Sequence, residues 1–110
     1  MGINSLRIET LSERLLEYLA RISVGMHVSS EELQVVTGLS LLKITQETLA
    51  VLSKELIKSK NGLLFCNLCG KGPFTKRGAY LHLMRMHKYE MKTLILQELR
   101  EKISKSTNFK

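Results

Sequence analysis

The chain has 110 residues, 44% hydrophobic and 25% charged, with no Trp and a formal net charge of +7. That length suits one domain or two small ones sharing little core, and the scarcity of aromatics excludes a large aromatic core. No apolar run approaches the roughly 18 residues of a spanning helix, and the N-terminus lacks the basic, apolar, small-residue order of a secretion signal, so an intracellular, cytoplasmic protein is expected.

The charge is unevenly placed. Residues 1–56 hold five Lys/Arg against seven Glu, whereas residues 57–110 hold twelve against three. The basic half also carries both cysteines and two of the three histidines. A polyanionic partner is the natural reading, with a solvated basic surface kept for solubility as the plainer alternative.

In "SLRIETLSERLLEYLARI" (5–22), Ile8, Leu11, Leu15, Leu19 and Ile22 recur at spacings of three and four, with Arg14, Glu17 and Arg21 opposite. This predicts an amphipathic helix, interrupted by "SVGMHV" (23–28). Ser29 with Glu32 three residues on is a capping box that opens a short helix, and Gly38 ends it. A helix of about five turns follows from Ser40, with Leu41, Leu49, Leu52 and Leu56 on one stripe and Ile44 beside it. Its other face carries Lys43, Gln46, Glu47, Ala50 and Lys54. Asn61-Gly62 is the favoured pair for a two-residue hairpin turn, because both central positions need positive φ; the strands are 57–60 and 63–66. Residues 76–105 contain no Pro and no Gly beyond Gly78. Leu81, Met84, Met91, Ile95, Leu96, Leu99 and Ile103 predict a long C-terminal helix there, bent near His87 to Tyr89. The tail "SKSTNFK" offers only Phe109 to bury and is expected to fray.

Cys66-x2-Cys69-x12-His82-x4-His87 is the most informative pattern in the chain. A two-residue gap between cysteines means a metal site or a redox pair more often than a disulfide, and the histidines favour the metal. Zinc takes four such donors at tetrahedral corners: a tight knuckle turns both thiolates inward, and histidines five apart lie near one helix face. One structural Zn2+ is therefore expected, with His27 outside the ligand set because four donors saturate the ion.

Two family resemblances rest on these residues. The order helix, short helix, Gly-bearing turn, longer helix and basic hairpin over residues 5–66 resembles the winged helix-turn-helix family, with "TGLSLLKITQETLAVLSKELI" as turn and recognition helix. Thr48 departs from it by standing where the family prefers an aliphatic, which points to a one-residue shift of register. Residues 64–87, including "CGK" after the second cysteine, resemble the zinc finger of two cysteines and two histidines. Here Pro73 and Ala79 occupy the places of the family's aromatic and Leu, with Phe74 and Tyr80 one residue later. A one-residue shift lets Leu64, Phe74 and Tyr80 or Leu83 form the small core.

Together these imply a mostly α fold with small β-hairpins (α+β): a winged helix-turn-helix (5–65), a ββα zinc finger (64–88) and an extended C-terminal helix (89–105). Leu64 and Phe65 belong to wing and finger at once, so the two are expected to move as one body. The resemblance implies sequence-specific binding of double-stranded DNA by a transcription regulator, similar to the small regulators of archaea and archaeal viruses. Lys43, Gln46 and Glu47, with Lys54 on the same face, would enter the major groove, and Lys58, Lys60 and Asn61 would touch the backbone or minor groove. A plain solvated helix surface is the alternative for the Lys43 to Lys54 face. The finger's base-reading positions map onto Thr75, Gly78 and Leu81, of which the last two cannot donate to base edges. Lys71, Lys76, Arg77 and Arg85 reach phosphates, so the finger is expected to position and not to read.

A homodimer paired through the first helix and the stripe of residues 91–103 is expected, with a palindromic site. The rival reading is a protein-interaction adaptor. Single-stranded RNA binding ranks below both for want of exposed aromatics. No enzyme is expected, because no paired carboxylates or Ser-His-Asp set is visible and four ligands leave no open metal position.

Overall fold

Helix α1 (Ser5–Ser23) organises the computed structural model, which describes residues 5–107. It packs against all four other helices, so its buried stripe is wider than an amphipathic surface helix needs: Ile8, Leu11, Leu15, Leu16, Leu19 and Ala20 are all buried. Arg21 near its end bonds Glu32 at 3.1 Å and the His27 carbonyl at 3.0 Å, which ties α1 to the start of α2 (Ser30–Thr37). The capping box at that start is formed: the Ser29 hydroxyl accepts the Glu32 N–H, and the Glu32 carboxylate accepts the Ser29 N–H. The Ser29 N–H first, and Arg21 next, hold the Glu32 carboxyl below its usual range.

α2 stops where the Gly38 N–H bonds the Gln34 carbonyl at 2.8 Å, and α3 (Leu39–Leu56) starts at the next residue, one earlier than Ser40. Leu41, Thr45, Thr48, Leu49, Leu52 and Leu56 form its buried face. The expected register shift does not occur, because Thr48 itself takes a buried position in phase with the leucines. The chain then passes directly into β1 (Ile57–Lys60) and β2 (Leu63–Cys66), antiparallel, with Ile57 opposite Cys66 and Lys60 opposite Leu63. Asn61 and Gly62, at φ 54° and 81°, make the turn that pairing needs.

After β2 the return toward the last helices is a single bridge, Leu64 to Phe74, in place of a full second strand of a ββα unit. The C-terminal segment forms two helices, α4 (Lys76–Met86) and α5 (Lys88–Thr107), with the break at His87. At φ −128° and ψ 25° His87 leaves helical geometry, although its N–H still bonds the Leu83 carbonyl and its carbonyl accepts the Met91 N–H. α5 continues to Thr107, past the end of the apolar pattern; Phe109 lies outside the described residues.

Buried side chains from α1, α2, α3, β2, α4 and α5 form one cluster. The stripes offered by the sequence as pairing surfaces between copies are covered from within: Met91, Ile95 and Leu99 are fully buried, and α5 packs on α1 and α3. No helix among the described residues is long and apolar enough to cross a membrane.

Candidate metal centre

The knuckle that carries the cysteines is fixed by backbone bonds. The Cys66 N–H bonds the Lys71 carbonyl at 2.8 Å, and the Gly70 N–H bonds the Cys66 carbonyl at 2.7 Å, closing a tight loop around Asn67 and Leu68. Asn67 anchors this loop to α3: its N–H bonds the Leu56 carbonyl at 2.9 Å and its side-chain amide bonds the Glu55 carbonyl at 3.0 Å. The last carbonyls of a helix have no partner within it, so the knuckle acts as the C-terminal cap of α3.

Helix α4 brings the histidines. Thr75 caps it by accepting the Gly78 N–H at 3.0 Å, and buried Ala79 and Leu83 seat it against the core. His82 then faces the knuckle from the helix, and His87 does so from the break at its end. The donor atoms of Cys66, Cys69, His82 and His87 all lie within 4.8 Å of one another, and Cys69 Sγ is 3.3 Å from His82 Nε2. Bond lengths of about 2.0–2.3 Å to a tetrahedral ion place its donors about 3.3–3.8 Å apart, so a slight contraction of this cluster accommodates one ion. These four residues could hold a metal.

A second observation fits. His87 Nε2 is buried and has no hydrogen-bond partner among the described residues, while Nδ1 on the same ring lies 2.9 Å from Glu90 Oε1. A carboxylate on Nδ1 fixes the tautomer that leaves Nε2 free to coordinate. His82 is oriented differently: its ring stacks on Phe74 with centroids 4.8 Å apart and meets the His87 ring edge-on at 5.0 Å.

The four groups differ in how readily they present a lone pair. Burial pushes the Cys66 thiol up, against the N–H groups of Cys69 and Leu68 that favour its thiolate. Exposed Cys69 is held below the usual thiol range, first by the Lys71 N–H and then by the His87 ring. Burial, then the charges of His87 and Lys71, holds His82 below the usual range and so favours its neutral ring. For His87 burial also opposes charge, but the nearby Cys69 sulfur and Glu90 outweigh it and raise the value. The directions at Cys69 and His82 thus favour the deprotonated forms that coordinate, whereas those at Cys66 and His87 oppose them.

Glu90, Phe74 and Asn67 are the supporting residues that ligand spacing alone did not single out. Glu90 carries a signal in hindsight, since His87-x-x-Glu90 places both on one side of a helical turn. His27 is exposed and outside the cluster.

The eleven residues expected to contact DNA are all exposed: Lys43, Gln46, Glu47 and Lys54 on α3, Lys58, Lys60 and Asn61 on the hairpin, and Lys71, Lys76, Arg77 and Arg85 around the centre. None of their eight cations is in an ion pair among the described residues, in contrast to Arg21, Lys92 and Lys102. Compared with known proteins, the chain matches no family model, no curated protein and no solved structure.

Proposed function

We propose that this chain binds double-stranded DNA as a sequence-specific transcription regulator, a winged helix-turn-helix joined without a linker to a zinc-held finger. The carrying observation is the eight exposed cations on α3, the hairpin and the Cys/His segment, none in an ion pair among the described residues, beside an N-terminal half whose charge is net acidic. Cations without carboxylate partners are free to displace counterions from phosphates. On this reading α3 lies in the major groove with Lys43, Gln46 and Glu47 toward base edges. The hairpin and the finger's Lys71, Lys76, Arg77 and Arg85 grip the backbone. Two thiolates and two imidazoles select zinc among common divalent ions, and a filled tetrahedron leaves no position for substrate, so the ion's role is structural. A homodimer on a palindromic site remains part of the proposal, through faces other than the covered stripes of α1 and α5.

Selection of bound sites from a random DNA pool, with the intact chain and with Lys43→Ala/Gln46→Ala, tests this reading. A recovered motif that degrades at a few adjacent positions in the double variant is expected; a motif unchanged by it removes α3 from the recognition role.

A protein-interaction adaptor is the second reading, favoured by Val35 and Leu39, 87% and 75% exposed where α2 meets α3. DNA affinity that falls steeply with salt separates the two in favour of the first.

A further inference from the structure

The two faces of the β1–β2 hairpin differ in what they touch. Cys66 is buried, and Ile57 and Leu64 pack against the core. Side chains alternate along a strand, so Lys58, Lys60, Leu63 and Phe65 share the other face, with Phe65 directly opposite Lys58 and Leu63 opposite Lys60. Phe74 packs against the core; Phe65, only half-buried, does not. Its ring is backed instead by the loop at Gly72. A Cβ at that position would lie 2.8 Å from Phe65 Cδ2 and 2.7 Å from the Leu64 carbonyl oxygen, so only glycine lets the loop close onto the ring. In front, Lys58, Lys60, Phe65, Cys66, Asn67 and Gly70 line a shallow groove of about 310 Å³ from hairpin to knuckle.

An aromatic ring outside the core, approached by the Gly72 loop, with Lys58 directly opposite it and Lys60 diagonal to it on β1, neither in an ion pair among the described residues, is a platform for a flat group that carries anions beside it. An acidic peptide would use the lysines and leave the ring without a partner. Duplex DNA keeps its bases stacked on one another and offers the ring no face. A single strand offers an unstacked base beside every phosphate. Lys58 and Lys60 stand two strand residues apart, about 6.8 Å, which lets them take successive phosphates on either side of one stacked base.

We propose that this outer face of the hairpin binds a single strand of DNA, with one unpaired base stacked on Phe65 and the flanking phosphates on Lys58 and Lys60. The site goes beyond the duplex reading, because it does not require α3 to lie in a groove. A chain that grips duplex through α3 would use it to hold a strand opened beside its site.

The test uses the full chain loaded with zinc. Anisotropy of a labelled oligothymidylate about a dozen nucleotides long is compared for the unaltered chain, Phe65→Leu and Phe65→Tyr, beside a blunt duplex. Phe65→Leu is expected to weaken oligothymidylate binding about tenfold, Phe65→Tyr to retain it, and neither to change duplex affinity. Ultraviolet crosslinking of the unaltered chain is expected to leave a thymidine adduct on Phe65, and this decides the matter if Phe65→Leu loses its metal or its helicity. Oligothymidylate affinity indifferent to Phe65→Leu, or an adduct outside residues 58–65, overturns the proposal. A Phe65 adduct in a chain that binds no duplex leaves this site standing and removes the duplex reading; duplex binding with Phe65-independent strand binding does the reverse.

Discussion

At the scale of single residues, the centre depends on groups that touch no ion. Glu90 lies one helical turn beyond His87, and its carboxylate on Nδ1 decides which ring nitrogen faces the cysteines. Partners of this kind typically change metal affinity by about 10–100-fold when removed. Glu90→Gln keeps the size and loses the charge, so zinc affinity measured by competition with a chromogenic chelator is expected to fall by about tenfold or more, with far-ultraviolet circular dichroism unchanged. An affinity equal to that of the unaltered chain would show that the His87 ring is oriented by its packing alone. The four donors were legible from spacing, because coordination geometry constrains spacing directly. Phe74 against His82 was only half legible: its offset of one residue from the finger pattern was visible, but whether that offset moved it away from the ligands depends on the bridge to Leu64, which no local pattern encodes.

At the scale of elements, α3 shows how a rule about residue type misleads when burial decides. Its stripe of Leu41, Leu49, Leu52 and Leu56 was plain from periodicity, and so was the exposed face of Lys43, Gln46, Glu47, Ala50 and Lys54. Thr48 argued for a shifted register because it stands where the resembled family prefers an aliphatic, yet the helix keeps its phase and buries both Thr45 and Thr48 completely, although a hydroxyl is costly in a core. Four buried leucines in phase outweigh two misplaced hydroxyls, since shifting the helix would expose the leucines instead. Neither hydroxyl has a hydrogen-bond partner among the described residues. Thr48→Val replaces the orphaned oxygen with a methyl group of nearly the same shape and is expected to stabilise the fold by about 1 kcal/mol, raising the thermal midpoint by about 4 °C. A midpoint that falls would mean the hydroxyl is bonded in solution. The break between α4 and α5 was harder to place. The apolar pattern runs through it almost undisturbed, and only the inward turn of His87 toward the knuckle, a tertiary demand, explains why the helix stops there.

At the scale of the whole molecule, the question is how far the ion's influence extends. An isolated zinc finger of this size has too small an apolar cluster to fold without metal, but this candidate metal centre is built onto a helical core. Leu15, Leu19, Leu49, Met91, Ile95 and Leu99 are fully buried on α1, α3 and α5 and owe nothing directly to the cluster. The knuckle, by contrast, is held by a few backbone bonds, by Asn67 on the last carbonyls of α3 and by Cys66 and Leu68 against the edge of the core. Metal removal should therefore unfold a part, not the whole. Hydrogen exchange on the chelated chain, and separately on Cys69→Ser, is expected to show amide protection over residues 66–87 falling roughly a hundredfold or more, since structural zinc contributes about 10 kcal/mol or more to the folding of small fingers. Protection should also loosen in the last turn of α3, where the cap is lost, while amides around Leu15, Leu49 and Ile95 keep theirs. Uniform loss across the chain would mean that the helical core cannot stand without the ion, and no loss anywhere would mean that the four donors do not hold one. The graded outcome carries a functional consequence: the hairpin follows α3 without a linker, so a frayed cap would misplace Lys58 and Lys60 relative to Lys43 and Gln46. On the proposed DNA-binding reading, zinc would then set the geometry of the surface that meets DNA without touching DNA itself.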